Sequence, residues 1–524
     1  MASSLLTNLD RSRIWLERLS DSKRLIVAFL AGCLGALAFP PVNLVFVIWI
    51  SFPVLLMLIQ PGLSTKMLFG LGWIFAFGFF LVGLYWVGIS ATVDLATFWW
   101  FVPIASTGLP AILACFVAPI PWIIVKVSRQ PKEKVVLFIG LWLLHEWLRS
   151  WMFNGFPWNL VGYASSVNLA MTQLASVGGV WLLSLLILIS ASLPFLWWSN
   201  ISRKSAGYLL LSLAIPLAMW GYGTLRLGQP TSFVQGIGLN LVQANIPQSL
   251  KWDPKAAETN FKKHFELSAF KPSTSDTELT IWSESAVPYL IGEDPNLRTY
   301  FADSIPEGNL LITGGNRRDI DTEGVRQYFN SLFVLDDEGK TVGLYDKKHL
   351  VPFGEYVPLG SLLPIKKLTA GLIDFQSGSA ERRVTHDPIP AFVPLICYEI
   401  IFPGRIIPKS QPRPSWLLNI TNDAWFGKSS GPYQHFAISR MRAIEEGLPL
   451  VRVSNPGITA IVDPFGRMVS STNHDEDAVV RGSLPKALTH PPIFASLGNR
   501  VITLYLLMIL LAFVLIRLCG LKQK

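Results

Sequence analysis

The stretch MLFGLGWIFAFGFFLVGLYWVGI, Met67–Ile89, contains no charged side chain and is long enough to cross the hydrocarbon core of a bilayer as one helix. We expect spanning helices also at Leu25–Phe39, Leu44–Ile59, Phe101–Val127, Val135–Trp151, Val180–Trp198, Ala206–Leu225 and Val501–Leu518. The first two of these are shorter than the ~20 residues that a bilayer normally requires, so their full spanning is left open. The sequence predicts a multi-span α-helical membrane bundle of about eight helices.

The composition also indicates a membrane protein. Of the 524 residues, 51% are hydrophobic and only 15% are charged, which is too apolar for an ordinary soluble protein. The formal charge of +9 does not indicate a nucleic-acid partner, because lysine and arginine lie mainly in short segments that flank the apolar runs. Three of the four cysteines lie in or beside apolar runs, so Cys397 stands apart in the polar part of the chain.

The basic residues also predict an orientation. Lysines and arginines precede the first apolar run and follow the second, fourth, sixth and eighth, whereas the loops Pro40–Asn43 and Ser90–Thr97 contain neither. The positive-inside rule therefore places both termini in the cytoplasm and Arg226–Arg500 outside. A competing interpretation is a cleaved, secreted protein, because Ala36-Leu37-Ala38 resembles a signal-peptidase site. Seven further apolar runs argue against it.

The segment from about Phe233 to Pro492 has a different character, with short β-rich runs between turn signals. Lys255–Phe270 and Tyr433–Glu446 carry apolar stripes typical of helices that pack on a sheet. We expect a membrane domain of seven helices at residues 1–228, a mixed α/β domain at 229–495, and a last helix with a short tail at 496–524. Strands are predicted at Gly238–Val242, Leu279–Trp282, Leu310–Ile312, Ser331–Leu335, Val393–Cys397, Trp416–Ile420, Leu450–Val453 and Thr459–Val462.

Three residues of this domain are candidates for chemistry. Cys397 ends the apolar run Val-Pro-Leu-Ile-Cys-Tyr-Glu-Ile; an inert core thiol is one interpretation, but a single unpaired thiol in an oxidising exterior favours a nucleophile. Such a nucleophile needs a base and a group that stabilises the oxyanion. Glu284, just past a predicted strand, and Lys347, at the start of a Pro/Gly-rich turn, are the candidates. Taken singly, either could be a solvated surface charge.

The order of these segments carries more information than any one of them. Trp-x-Glu at Trp282, Lys-x-His-Leu with Pro-Phe-Gly-Glu at Lys347–Glu355, and Cys-Tyr-Glu at Cys397 together resemble the nitrilase superfamily. With the apolar runs, nearly the whole chain resembles the bacterial apolipoprotein N-acyltransferase family. Supporting segments are Glu146-Trp-Leu-Arg149, Gly155-Phe-Pro-Trp158, Asn245-Ile-Pro-Gln248, Lys251-Trp252 and Asn422-Asp-Ala-Trp-Phe-Gly427; Asn455-Pro456-Gly457 departs from the Asn-Thr-Gly common in the family.

The resemblance implies an α/β nitrilase-like αββα sandwich and a catalytic triad with Glu284 as general base, Lys347 as stabiliser of the tetrahedral intermediate and Cys397 as nucleophile. It further implies that Glu355 and Glu399 are supporting carboxylates that position these groups. We expect His349 to orient its loop. No second histidine or cysteine stands at ligand spacing, so no metal is predicted, and no cofactor is expected.

The implied reaction moves a fatty acyl chain from a phospholipid, through a cysteine thioester, to the α-amine of a diacylglyceryl apolipoprotein. The expected location is the bacterial inner membrane, with the catalytic domain periplasmic, and the expected state is a monomer. Two rivals are a membrane-anchored carbon-nitrogen hydrolase that passes its thioester to water, and a non-catalytic lipid-binding scaffold. The scaffold would be expected to have lost one of the three residues, and none is missing.

The segment Val357–Phe375 is unusually apolar for a loop and follows the predicted lysine turn. One interpretation is buried packing against the core; the preferred one is a mobile lid at the membrane interface, with Leu362 and Leu363 meeting acyl chains. We also name Trp252, Trp425 and Phe426 as candidates that line the acyl path, although each could equally be a core residue or an interface anchor.

Overall fold

The computed structural model describes residues 11–92, 99–270, 275–358, 374–408 and 412–521. Within these ranges the chain forms two compact units. The helical unit comprises the described residues up to Gly88, then Trp100–Gln229, and those from Ser496 onward. The α/β unit comprises Pro230–Ala495 and the described residues of Ile89–Trp99.

The helices and strands are named here in chain order. The helices are α1 Asp21–Ala36, α2 Ile48–Leu58, α3 Thr65–Leu84, α4 Phe101–Val117, α5 Ile120–Val127, α6 Pro131–Arg149, α7 Leu169–Thr172, α8 Ala175–Ser199, α9 Gly207–Leu227, α10 Gln248–Lys251, α11 Ala257–Ser268, α12 Pro295–Ser304, α13 Gly431–Glu446, α14 Ile493–Leu497 and α15 Arg500–Leu521. The strands are β1 Phe233–Gln243, β2 Thr277–Ile281, β3 Leu310–Ile320, β4 Arg326–Leu335, β5 Thr341–Asp346, β6 Val384–His386, β7 Ile389–Ile396, β8 Trp416–Thr421, β9 Leu450–Ser454, β10 Ala460–Val462, β11 Met468–Ser471 and β12 Ala478–Pro485.

Five helical segments of the described chain are long and apolar enough to cross a membrane: Thr65–Thr92, Phe101–Val127, Ala175–Ser199, Gly207–Leu227 and Arg500–Leu521. The expectation of about eight spans is therefore not confirmed. Helices α1 and α2 have 16 and 11 residues, too few for an ordinary span. Helix α6 carries charges at both ends, including Lys132, Glu133, Lys134, Glu146 and Arg149.

Glycines bring α1 and α3 into direct backbone contact. A Cβ atom at Gly32 would lie 1.9 Å from the carbonyl oxygen of Phe75, and one at Gly78 would lie 2.5 Å from that of Phe29. Neither position therefore tolerates a side chain. Small residues at a helix interface permit this close packing, which is how helices associate in a lipid environment.

Two segments singled out from the sequence pack on each other inside the helical unit. Arg149 donates through Nη1 to the carbonyl oxygens of Phe156, at 2.8 Å, and Trp158, at 2.6 Å. Glu146 accepts a hydrogen bond from the main-chain N–H of Val161, at 2.7 Å. These buried charges therefore hold the loop that follows α6 in place.

The α/β unit contains two six-stranded sheets, in the orders β12-β1-β2-β3-β4-β5 and β11-β10-β9-β8-β7-β6. Their apolar faces pack on each other, with Leu241 and Ile312 of the first sheet and Leu418 and Val453 of the second among the buried side chains of one core. Parallel pairing of β1 with β2, and of β7 with β8, places the carboxyl ends of these strands along the sheet edges where the site lies.

Helices cover the outer faces of the sandwich. Phe261 of α11 and Phe301 of α12 pack with Trp282 against the first sheet. Helix α13 packs on the second sheet and is buried along most of its length. The predicted αββα sandwich is thus confirmed, and so are the predicted strands, whereas β5, β6, β11 and β12 were not predicted. Strands β6 and β11 have only three and four residues, and the side chains of β11 are mostly exposed. These two strands therefore carry little apolar signal in the sequence.

Candidate active site

Cys397 lies at the sharp turn where β7 gives way to the 3₁₀ helix Cys397–Ile401. Its φ of 49° is in the left-handed region, which a residue with a side chain adopts only when its surroundings enforce it. The amide of Asn419 donates to the carbonyl oxygen of Leu395, at 3.0 Å, and to that of Cys397, at 3.5 Å. The turn therefore holds the thiol at the end of a rigid strand.

Glu284, Lys347 and Glu355 form a buried carboxylate–lysine cluster. Lys347, which is 1% exposed, places its Nζ atom 3.4 Å from Oε1 of Glu284 and 2.9 Å from Oε2 of Glu355. Glu355 also accepts from the main-chain N–H of Val351, at 2.8 Å. The structure thus brings together two residues predicted to be catalytic and one predicted to support them.

Two asparagines orient the carboxylates of this cluster. The Asn330 amide donates to Oε1 of Glu284 and to Oε1 of Glu355, in both cases at 2.8 Å. The main-chain N–H of Asn422 donates to Oε2 of Glu284, at 2.9 Å. Asn330 was missed from the sequence, although an amide within the otherwise apolar Phe-Asn-Ser-Leu-Phe-Val run of β4 is a signal for a buried polar role.

The thiol belongs to the same electrostatic environment. Burial, reinforced by the negative charge of Glu284, raises the pKa of Cys397 well above its usual value, while Lys347 opposes the rise. Burial alone would lower the pKa of Lys347, but Glu355 and Glu284 raise it above the usual range. These shifts favour a neutral Cys397 thiol and a charged Lys347 ammonium, so Cys397 as a nucleophile would need a proton acceptor.

Glu399 links the cysteine turn to the lysine turn. Its Oε2 accepts from the main-chain N–H of Ile396, at 2.9 Å. Its Oε1 accepts from the main-chain N–H groups of Lys348, at 3.0 Å, and His349, at 3.1 Å. Tyr345 and Arg382 donate to the same oxygen, at 2.8 Å and 3.1 Å. This carboxylate therefore fixes the positions of Cys397 and Lys347 relative to each other.

A second buried group, the aspartate–arginine cluster, comprises Asp423, His435 and Arg452. Arg452 donates to Oδ2 of Asp423 at 2.7 Å, and His435 Nδ1 lies 2.9 Å from Oδ1. Burial opposes ionisation, but Arg452 and His435 hold the pKa of Asp423 well below its usual range. Arg452 and His435 were missed from the sequence, since single basic residues in a strand or helix resemble surface charges.

The remaining predicted residues lie in several places. Trp252 follows α10 and is half-buried, as are Trp425 and Phe426 in the 3₁₀ helix Asp423–Phe426. Phe426 contacts the His435 ring, with centroids 5.7 Å apart. The His349 ring packs on Phe402, at 4.2 Å. Leu362 and Leu363 lie outside the described residues.

Within the described ranges, no group of three or more histidine, cysteine, aspartate or glutamate side chains could hold a metal ion.

Comparisons with known proteins follow the same division of the chain. The family described as "Apolipoprotein N-acyltransferase N-terminal domain" matches residues 31–193, and "Carbon-nitrogen hydrolase" matches residues 239–490. Among solved structures, a carbon-nitrogen hydrolase superfamily protein of Xanthomonas campestris, XC1258, is 19% identical with a TM-score of 0.36; the match covers 48% of this chain and 91% of that one.

Curated relatives match nearly the full length. The apolipoprotein N-acyltransferase of Rickettsia typhi is 38% identical over 95% of this chain and 99% of its own. Those of Rhodopseudomonas palustris and Bradyrhizobium diazoefficiens are 37% and 39% identical, and each match covers 91% of this chain and 92% of the relative. The chain therefore belongs to the apolipoprotein N-acyltransferase family and is a membrane-embedded acyltransferase.

Proposed function

We propose that this enzyme moves a fatty acyl chain from a membrane phospholipid to the α-amino group of the N-terminal S-diacylglyceryl cysteine of an apolipoprotein. The observation that carries the proposal is the buried Cys397 thiol in the electrostatic environment of Glu284 and Lys347, in a chain whose described part contains five apolar segments long enough to span a bilayer. The relatives that match over nearly their full length are apolipoprotein N-acyltransferases, which supports a lipoprotein as acceptor.

In the first half-reaction Glu284 accepts the thiol proton as the sulfur of Cys397 attacks the ester carbonyl of the phospholipid. The oxyanion that forms is stabilised by the ammonium of Lys347, which keeps its proton throughout. The tetrahedral intermediate then collapses, the carbon–oxygen ester bond breaks, and the lyso-phospholipid leaves with the proton held by Glu284. A thioester on Cys397 remains.

In the second half-reaction the neutral α-amine of the apolipoprotein attacks the thioester carbonyl. Glu284 accepts a proton from the amine, Lys347 again stabilises the oxyanion, and the carbon–sulfur bond breaks. The thiol regains its proton, and an amide-linked third acyl chain is the product. The lyso-phospholipid leaves before the amine reacts with the thioester, so the enzyme follows a ping-pong order.

The proposal includes a location. Basic residues flank alternate apolar segments, so we place both termini in the cytoplasm of a bacterial cell, the helices in the inner membrane and residues 229–495, between the domains at 1–228 and 496–524, in the periplasm. We further propose that the enzyme acts as a monomer. Reporters fused after Arg129 or Arg203 should be cytoplasmic and one inserted near Ser273 external; a cytoplasmic result at Ser273 contradicts the location.

Mass spectrometry of the protein purified from membranes tests the reaction. We expect an acyl adduct on Cys397 that is stable without an amine acceptor and disappears when a diacylglyceryl peptide with a free N-terminus is added. A matched peptide with an acetylated N-terminus should leave the adduct in place. A thioester that decays equally fast in water alone would show a hydrolase, and transfer without any adduct would exclude the ping-pong order.

A further inference from the structure

Lys251 is a second buried lysine beside the carboxylate–lysine cluster. It ends α10, is 7% exposed, and donates through Nζ to the main-chain carbonyl oxygen of Glu284, at 2.8 Å. Within the described ranges no carboxylate lies at ion-pair distance from it. A buried ammonium with one hydrogen bond to a carbonyl group is costly unless nearby negative charge compensates it.

That negative charge is present in the site. With both carboxylates ionised, Glu284 and Glu355 carry two negative charges, and Lys347 supplies a single positive one. The other buried carboxylates of the site have their own cations, since Arg382 pairs with Glu399 and Arg452 pairs with Asp423. The ammonium of Lys251, which interacts electrostatically with Glu284 and Cys397, brings the balance of the site to zero.

We propose that Lys251 is a positioning residue of acyl transfer: its ammonium holds the main chain at Glu284 and balances the second carboxylate of the site. The charge of Glu284 is then balanced, and negative charge developing on the Cys397 sulfur is stabilised. This inference rests on the proposed roles of Glu284 and Cys397.

The proposal predicts a pH dependence with a defined sign. Burial lowers the pKa of Lys251 to about 8, so the balancing charge is present below this pH and is lost above it.

Burial lowers the pKa of His264 to about 4, and it also lowers that of His435. The titratable and charged groups that face the site from the surrounding elements are His264 on α11, Glu284 after β2, Lys347 and Glu355 after β5, Cys397 and Tyr398 after β7, Asp423 after β8, His435 on α13 and Arg452 on β9.

The test measures alkylation of Cys397 by iodoacetamide in the full-length protein in detergent micelles, with the adduct located by mass spectrometry. The rate is followed from about pH 6 to about pH 9, a range around the ordinary pKa of cysteine. We expect Lys251→Met to react about tenfold more slowly than the wild type below pH 8, and to approach the wild-type rate above it. Lys255→Met, which removes an exposed lysine of the same segment, should match the wild type throughout.

Two further variants separate charge from structure. Lys251→Arg should keep the wild-type rate below pH 8 and exceed it above, because arginine remains charged. The double variant Lys251→Met/Glu355→Gln should recover much of the rate lost in Lys251→Met, since one charge of each sign is removed. A ratio between Lys251→Met and wild type that does not change with pH, or additive damage in the double variant, would overturn the proposal.

Alkylation requires neither lipid nor lipoprotein, so the two proposals fail separately. Should the pH-dependent ratio appear while no thioester forms with phospholipid, the acyl-transfer function is wrong and the charge balance stands. If thioester forms normally in Lys251→Met and its alkylation is unchanged, the role of Lys251 is wrong and the acyl-transfer function stands. When Lys251→Met does not fold, the Lys251→Arg profile above pH 8 decides.

Discussion

The carboxylate–lysine cluster and the aspartate–arginine cluster are both buried in the α/β unit, and they differ in how their charges are held. In the aspartate–arginine cluster the two oxygens of Asp423 contact Arg452, His435 and Thr421, at 2.7, 2.9 and 3.0 Å. In the carboxylate–lysine cluster, Glu284 Oε1 lies 3.4 Å from Lys347 Nζ and 2.8 Å from the Asn330 amide, and Oε2 accepts from the main-chain N–H of Asn422, at 2.9 Å. The first arrangement pairs its carboxylate directly with an arginine, whereas the second holds Glu284 mainly through neutral donors.

Replacing Cys397 should have the largest effect on activity. We expect Cys397→Ala and Cys397→Ser to abolish acyl transfer, because a serine hydroxyl is a far poorer nucleophile than a thiol with only a carboxylate as base. Transfer of a labelled acyl chain to a diacylglyceryl peptide measures the effect. The melting temperature should stay near that of the wild type; wild-type turnover in either variant would disprove the assignment.

Glu284→Gln should stop the reaction before the thioester. The amide is nearly isosteric and can keep its hydrogen bond from Asn422, but it cannot take the thiol proton. Mass spectrometry after incubation with phospholipid should find unmodified Cys397. Normal accumulation of the acyl-enzyme would mean that another group is the base. The difference in how Glu284 and Asp423 are held would then not explain which carboxylate accepts the proton.

Lys347→Ala connects the two kinds of cluster, because we propose that this residue stabilises an oxyanion and the same ammonium compensates two carboxylates. Loss of one oxyanion donor typically costs on the order of 10² to 10³ in rate. The melting temperature should also fall, since Glu284 and Glu355 lose their shared partner. Single-turnover acylation and thermal unfolding measure the two effects; undiminished acylation would exclude the stabilising role.

The reverse pattern is expected for Asp423→Asn. Removing this charge leaves Arg452 buried without its carboxylate, and breaking a buried ion pair costs about 3–5 kcal/mol. Thermal unfolding should therefore show a large destabilisation, while acyl transfer at low temperature is reduced much less than in Glu284→Gln. Asp475→Asn, in an exposed ion pair with Lys428, is the control and should leave the melting temperature unchanged.

The smallest effect on the chemistry is expected outside both clusters. We predict that replacing Leu362 and Leu363 together with serine weakens phospholipid use, each apolar side chain being worth roughly 1.5–3 kcal/mol of contact. Alkylation of Cys397 by a small water-soluble reagent should persist. Parallel loss of alkylation, lipid turnover and thermal stability would show that the segment belongs to the core.

The sequence predicts the sandwich well because alternating apolar residues in Gly238–Val242 or Trp416–Ile420 are buried in the shared core. It also predicts which residues surround the thiol, since Trp-x-Glu, Lys-x-His-Leu and Cys-Tyr-Glu are short and ordered motifs. It does not predict the roles of Asn330, Arg452 and Lys251, whose partners Glu284, Glu355 and Asp423 lie 25 to 46 residues away. These pairings depend on how the strands align, which no local pattern records.

The span count shows a different limit. The segment Val135–Trp151 is predicted as a membrane helix because most of its residues are apolar. The helix in the structure begins earlier, at Pro131, and therefore includes Lys132, Glu133 and Lys134, which lie outside that segment. Glu133 in its first turn pairs with Arg517 of α15, at 2.9 Å. A hydropathy profile along the sequence does not record which charged residues are paired within the folded protein.

The carboxylate of Glu399 has a consequence for anyone who would move this site to another scaffold. It accepts main-chain hydrogen bonds from Ile396 at the end of β7 and from Lys348 and His349 beyond β5, and these strands belong to different sheets. The side chain thus acts as a cross-link between two halves of the sandwich at the point where they contribute the reacting groups. Grafting the three reactive side chains alone would leave the sheets free to slide, so the smallest transferable unit is the pair of turns together with the glutamate that joins them.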